Sequence, residues 1–169
     1  MGKSALILAI LATFASCMAP GQVRELRERR LFRADGTGIV DIARRYVGVP
    51  YRYGGSTPEG FDCSGLVRYV YARAGYSVPR SAREQWQALE PNRVPRPGDL
   101  VFFKADSKNI SHVGIYAGNF LFIHAPRTGK NVGFDDIRDN YWSKSYAGTR
   151  TVFRRIGFES EQPLWLLAA

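Results

Sequence analysis

The sequence predicts an α+β domain in which N-terminal helices pack on an antiparallel sheet of about five or six strands. Three observations carry this. Helical periodicity is confined to the first half of the 169 residues. Short apolar or alternating runs fill the stretch from Asp99 onward. Helices first and strands second is the order that segregates helices to one side of an antiparallel sheet. The hydrophobic fraction of 45% is ordinary for a chain with one real core.

The elements follow in order. Ile39, Ile42, Ala43, Tyr46 and Val47 recur at helical spacing, which predicts a helix over 38–47 ended by Gly48 and Pro50. Residues 51–62 are rich in Gly, Ser and Pro and read as a loop. A second helix is predicted from Cys63 to Ala74, closed by Gly75, with Cys63, Leu66, Val67, Val70, Tyr71 and Ala74 on its apolar stripe. A short helix follows Pro79, around Ser81–Ala88. Leu100–Phe103, His112–Tyr116, Phe120–Ala125 and residues 147–156 read as strands.

The N-terminus reads as an export signal. Lys3 supplies positive charge, and Ala5 to Ala15 form an apolar run too short to span a bilayer as a helix. Phe14-Ala15-Ser16-Cys17 resembles a bacterial lipobox, although Phe14 stands where Leu is usual. On that resemblance, residues 1–16 are a signal peptide, and Cys17 is lipidated and heads a tether over 17–36. Met18 after the cysteine then favours the periplasmic face of the outer membrane. The competing readings are an ordinary secretory signal cut near Ala19 and a Cys17–Cys63 disulfide. The folded domain is expected over 37–158, with a tail at 159–169. The net charge is +9, and it remains +8 after loss of Lys3 with the signal. A basic exported protein suggests an anionic surface, wall polymer or lipid headgroups, as partner. Export and the lack of any nucleic-acid motif speak against nucleic acid.

Cys63 opens the second predicted helix. A helix N-terminus places partial positive charge and free N–H groups beside a sulfur, which lowers the thiol pKa and offers donors to an oxyanion. A small buried core thiol is the competing reading. The chain has two histidines, both in its strand-rich half. If the turn Ala117-Gly118-Asn119 is centred on Gly118, His112 faces His124 directly, with Cβ atoms roughly 5 Å apart. One imidazole would then take the thiol proton while the other holds it in position. A two-residue turn gives a worse alignment. Two histidines and one cysteine fall short of a closed zinc site, so no metal and no cofactor is expected.

These residues resemble a known family. Tyr51-Arg52-Tyr53-Gly54-Gly55, then Phe61-Asp62-Cys63-Ser64-Gly65-Leu66-Val67, is similar to the NlpC-type papain-like cell-wall peptidases. So are Pro79-Arg80-Ser81 with Gln85, Pro97-Gly98-Asp99-Leu100-Val101-Phe102-Phe103, and Ser111-His112-Val113-Gly114-Ile115-Tyr116 followed by His124. The motifs keep the family's order and cover about residues 38–156. The resemblance implies that Cys63 attacks a peptide carbonyl, with His112 as general base and His124 orienting it. It also implies that Tyr51 assists the oxyanion, and that Asp62 and Ser64 contact the amino end of the stem peptide. Asp62 also reads as a helix N-cap, and Tyr51 as plain aromatic packing. Arg80, Ser81 and Gln85 read as structural or groove-edge residues. The implied substrate is the peptidoglycan stem peptide, cut between D-Glu and diaminopimelate or at the D-Ala cross-link. A wall-binding lipoprotein of the same fold that does not cleave is the alternative, with an acyltransferase or amidase as a third reading. A regulatory or adaptor protein is a reasonable partner, but no segment encodes its identity.

Overall fold

A computed structural model describes residues 36–105 and 108–153. The signal, the lipidated Cys17, the tether up to residue 35 and the tail at 159–169 lie outside the described residues. In chain order the elements are α1 (Thr37–Arg44), β1 (Ser56–Thr57), β2 (Gly60–Phe61), α2 (Cys63–Arg73), α3 (Ala82–Ala88), β3 (Glu90–Asn92), β4 (Leu100–Phe103), β5 (His112–Gly118), β6 (Leu121–His124), β7 (Gly133–Asp136), α4 (Asn140–Ser145) and β8 (Tyr146–Thr151).

The helices form where the periodicity places them, with differences at the ends. α1 stops at Arg44 and not at Val47. The N–H groups of Arg45, Tyr46 and Val47 each reach the carbonyl three residues back, so the last turn tightens out of α geometry. α2 runs as expected, and Gly75 beyond it takes the left-handed φ of 83° that a helix exit favours. Ser81 caps α3 through a reciprocal box, its side chain accepting from the Glu84 N–H while the Glu84 carboxylate accepts from the Ser81 N–H. Inside the expected loop 51–62, β1 and β2 make a two-stranded antiparallel hairpin.

Six strands form one antiparallel sheet in the order β3-β8-β4-β5-β6-β7. Alternation divides it into two faces. Leu100, Phe102, Val113, Ile115, Ile123 and Ala125 pack with α1 and α2 in the main core, where Ile39, Leu66, Val67, Val70 and Tyr71 are fully buried. Val101, Phe103, Tyr116 and Phe122 face the other way and pack under Trp142 of α4. Even positions of β5 and β6, His112 and His124 among them, share that second face.

The β5–β6 register differs from the expected one. Its turn is the two-residue Asn119-Phe120, both at positive φ (51° and 65°), the pairing of left-handed residues that matches strand twist. Gly118 therefore pairs with Leu121. Carried onward, that odd register would put His112 and His124 on opposite faces. A bulge at Ala117 inserts one residue, after which Tyr116 pairs with Phe122 and Ile115 with Ile123. His112 and His124 are thus offset by two residues from direct opposition. A slip of two preserves the face, so they remain neighbours on one side of the sheet.

Candidate active site

Cys63 is the first residue of α2 and a free, half-buried thiol. Two glycines bring the loop before it close. A side chain at Gly65 would meet the Gly55 carbonyl at 2.0 Å, and the Asp62 N–H donates to that same carbonyl at 3.0 Å. Opposite runs β5, where the backbone of Val113, the residue after His112, lies near enough to the sulfur to lower its pKa. The Val113, Ser64 and Cys63 backbone groups pull its pKa down, as a helix N-terminus should. Burial and the Asp62 charge win, and the thiol is pushed up to about 11. The expected net lowering is thus reversed, because desolvating a thiolate outweighs three backbone dipoles.

The histidines form a directed chain. His112 Nε2 and His124 Nδ1 lie 2.8 Å apart, with the rings nearly perpendicular at 88°. His124 Nε2 lies 3.1 Å from Asp135 Oδ2, and Trp142 Nε1–H donates to that same oxygen at 2.7 Å. Both imidazoles are buried, and the Trp142 ring packs on each, 5.2 Å from His112 and 5.1 Å from His124. Asp135 is held below the usual carboxylate range, first by its bond to His124. An ionised carboxylate only accepts, so His124 Nε2 must carry hydrogen. In that Nε2–H tautomer His124 presents a lone pair at Nδ1, which accepts from His112 Nε2–H. His112 is left with its lone pair on Nδ1. Burial, and then the neighbouring His124, push the His112 pKa down to about 3. It is a neutral acceptor across the physiological range.

The Asp62 side chain is an N-cap, accepting from the Gly65 N–H at 2.7 Å. It is also gripped from the side by Arg80, whose two terminal nitrogens donate to the two carboxylate oxygens at 3.0 and 2.6 Å. Arg80 donates as well to Ser64 Oγ at 2.9 Å. Asp62, Ser64 and Arg80 therefore make one cluster at the start of α2. Buried Gln85 supports it from below, its Nε2 donating to the Ser64 and Pro79 carbonyls. Tyr51 bridges to Phe61 and sits close enough to Cys63 and Asp62 for their charges to raise its pKa, after burial. Among the described residues no cluster of three or more His, Cys, Asp or Glu side chains is arranged to hold a metal.

Sequence reasoning reached Cys63, His112, His124, Tyr51, Asp62 and Ser64, and these occupy the neighbourhood just described. It missed Asp135 and Trp142. No sequence signal marks Asp135; the β6–β7 register, with His124 opposite Gly133, is what puts Asp135 two residues on along the same face.

Comparison with known proteins comes at three levels. The sequence model of the NlpC/P60 family matches residues 48–151. Gamma-DL-glutamyl hydrolase of Bacillus subtilis (strain 168) is 45% identical over 132 residues, covering 75% of this chain and 31% of that protein. Murein DD-endopeptidase MepH of Escherichia coli (strain K12) is 42% identical over 141 residues, covering 79% of this chain and 52% of that protein. The chain thus spans between a third and about half of these curated relatives. Among solved structures, an NLP/P60 lipoprotein-like protein from Staphylococcus aureus superposes with a TM-score of 0.63 at 38% identity, covering 68% of this chain and 40% of that one. The NlpC/p60 domain of the peptidoglycan hydrolase SagA gives 0.61 at 32% identity, covering 69% and 98%.

Proposed function

We propose that this chain, which belongs to the NlpC/P60 family, is a cysteine endopeptidase of peptidoglycan. It hydrolyses stem-peptide or cross-link amide bonds, D-Glu–diaminopimelate or D-Ala–diaminopimelate. The observation that carries this reading is the oriented chain Asp135–His124–His112, which leaves one neutral imidazole acceptor next in sequence to Val113, whose backbone acts on the Cys63 thiol.

With a thiol raised to about 11 and an imidazole lowered to about 3, the resting pair is neutral. Attack and proton transfer are then coupled. The Cys63 proton passes to His112 Nδ1 as the sulfur bonds to the carbonyl carbon. The oxyanion that forms is met by backbone N–H groups at the start of α2 and by the Tyr51 hydroxyl. His112, now an imidazolium stabilised through His124 by Asp135, gives its proton to the leaving amine as the C–N bond breaks. Water then attacks the thioester, giving a proton to His112, and His112 passes that proton to the Cys63 sulfur as the C–S bond breaks, leaving a carboxylic acid, the free thiol and a neutral imidazole. The names of the two relatives speak of different bonds, γ-D,L in one and D,D in the other, so both remain in the proposal. Asp62 and Ser64, held by Arg80, are the groups offered to the amino end of the stem peptide.

Purified protein incubated with defined muropeptides and read by mass spectrometry tests this. Cleavage by the intact protein and none by Cys63→Ala is the expected result, and the mass of the products names the bond. Cleavage that survives Cys63→Ala defeats the mechanism. An intact protein that binds but never cleaves favours the wall-binding alternative. We further propose anchoring through lipid on Cys17 at the periplasmic face of the outer membrane. Cys17→Ser is expected to move the protein from the membrane to the soluble fraction, and retention on membranes defeats it.

A further inference from the structure

The far end of the imidazole chain opens on a cavity of about 680 Å³, a size that suits a small ligand or a peptide segment. Its wall holds two cations, Arg127 and Lys130, and three aromatic rings, Phe134, Tyr141 and Trp142, with Asp135 among them. The Asp135 oxygen that faces the relay is already engaged by His124 and Trp142. The Arg127 and Lys130 side chains are in no ion pair among the described residues. Two cations against one engaged carboxylate leave the cavity net positive, with flat apolar surface beside the charge.

The cationic edge is tied through its backbone to the segment that carries Tyr51. Arg127 and Lys130 stand on the β6–β7 loop, folded back by a bond from the Lys130 N–H to the Arg127 carbonyl at 3.1 Å. That loop is laced to the segment carrying Tyr51. The Tyr51 N–H donates to the Lys130 carbonyl at 2.8 Å, the Val132 N–H to the Val49 carbonyl at 2.7 Å, and Pro50 bridges to Asn131. One loop therefore supplies the cations of the cavity and holds the backbone of the segment that carries Tyr51.

We propose that this cavity is a carboxylate-binding subsite of the peptide substrate. Arg127 and Lys130 receive a carboxylate of the stem peptide, and the aromatic walls receive its aliphatic side chain. This rests on the peptidase reading for the identity of the ligand. The recognition is electrostatic, so it weakens with salt.

The test separates the two ideas by using binding and not cleavage. The full-length Cys63→Ala protein is titrated calorimetrically with a disaccharide-tripeptide muropeptide and with the same molecule carrying carboxamides in place of its peptide carboxylates. The acid is expected to bind about fivefold more tightly, the weight of a partly exposed ion pair. That preference falls to near unity when Arg127→Gln and Lys130→Gln are added. The same variants on the Cys63 protein should still cleave the amidated muropeptide. Equal affinity for acid and amide overturns the subsite. So does a preference that persists in the Gln variants, or no binding of either ligand. A wild-type protein that cleaves nothing, while the Cys63→Ala protein keeps the discrimination, defeats the peptidase reading alone.

Discussion

One carboxylate decides how the two histidines are protonated. Asp135 forces hydrogen onto His124 Nε2, and that choice propagates to leave a lone pair on His112. Removing it frees both rings to take either tautomer, and half of the arrangements place hydrogen where the thiol proton must go. Asp135→Ala is expected to lower kcat by on the order of 10- to 100-fold, within the range general-base catalysis supplies, with little change in KM. Asp135→Asn keeps an acceptor oxygen and should recover much of the loss. Steady-state kinetics on a muropeptide checks the split. A change in KM alone, or an Asn variant as poor as Ala, contradicts the orienting role. The sequence could not single this residue out. Gly133-Phe134-Asp135-Asp136 has none of the β-branched character of a strand, so nothing marked it as a third partner until β7 was seen beside β6. Cys63, by contrast, announced itself through Asp62 before it and Ser64-Gly65 after it.

Elements were legible wherever a period repeated, and illegible where one residue controlled the geometry. α2 was readable because Leu66, Val67, Val70 and Tyr71 recur on one stripe. The β5–β6 turn was not, because Asn119-Phe120 lacks the glycine that usually marks two left-handed positions. Phe120 tolerates its φ of 65° with help: its N–H donates to the Tyr116 hydroxyl at 3.2 Å, and Arg138 lies 4.8 Å over its ring. α4, which delivers Trp142, is too short to show a period. The close approach at the start of α2 gives a prediction of its own. Alanine at Gly65 improves helix propensity by about 1 kcal/mol, yet its methyl has nowhere to go against the Gly55 carbonyl. We expect Gly65→Ala to destabilise the protein by about 1–3 kcal/mol, as overpacking does. A shift of the urea midpoint measures this, and an unchanged or raised midpoint refutes the packing account.

At the scale of the molecule, the buried pair makes stability depend on pH from both sides. His112 falls to about 3 when folded, from 6.5. Between those values the unfolded chain binds more protons, so stability is present above pH 6.5 and drains away as pH falls. Cys63 rises to about 11 from 9.0. Above pH 9 the unfolded chain sheds its proton first, so stability declines again on the alkaline side. Thermal melts at about pH 4, 7 and 10 should therefore peak in the middle. His112→Gln should flatten the acid limb and leave the alkaline one. An acid limb as steep in that variant as in the parent would assign it to other groups.

The packing of α2, which Cys63 opens, on β5, which carries His112 and Val113, has a kinetic meaning beyond catalysis. It joins a helix from the first half of the chain to a strand from the second, so it closes a long loop and belongs to the non-local contacts, which are slow to form. A chain halted before α2 docks on β5 holds a thiol in one place and its base in another. Such a chain keeps its thiol and its base apart, and the working pair arrives only with the completed tertiary structure.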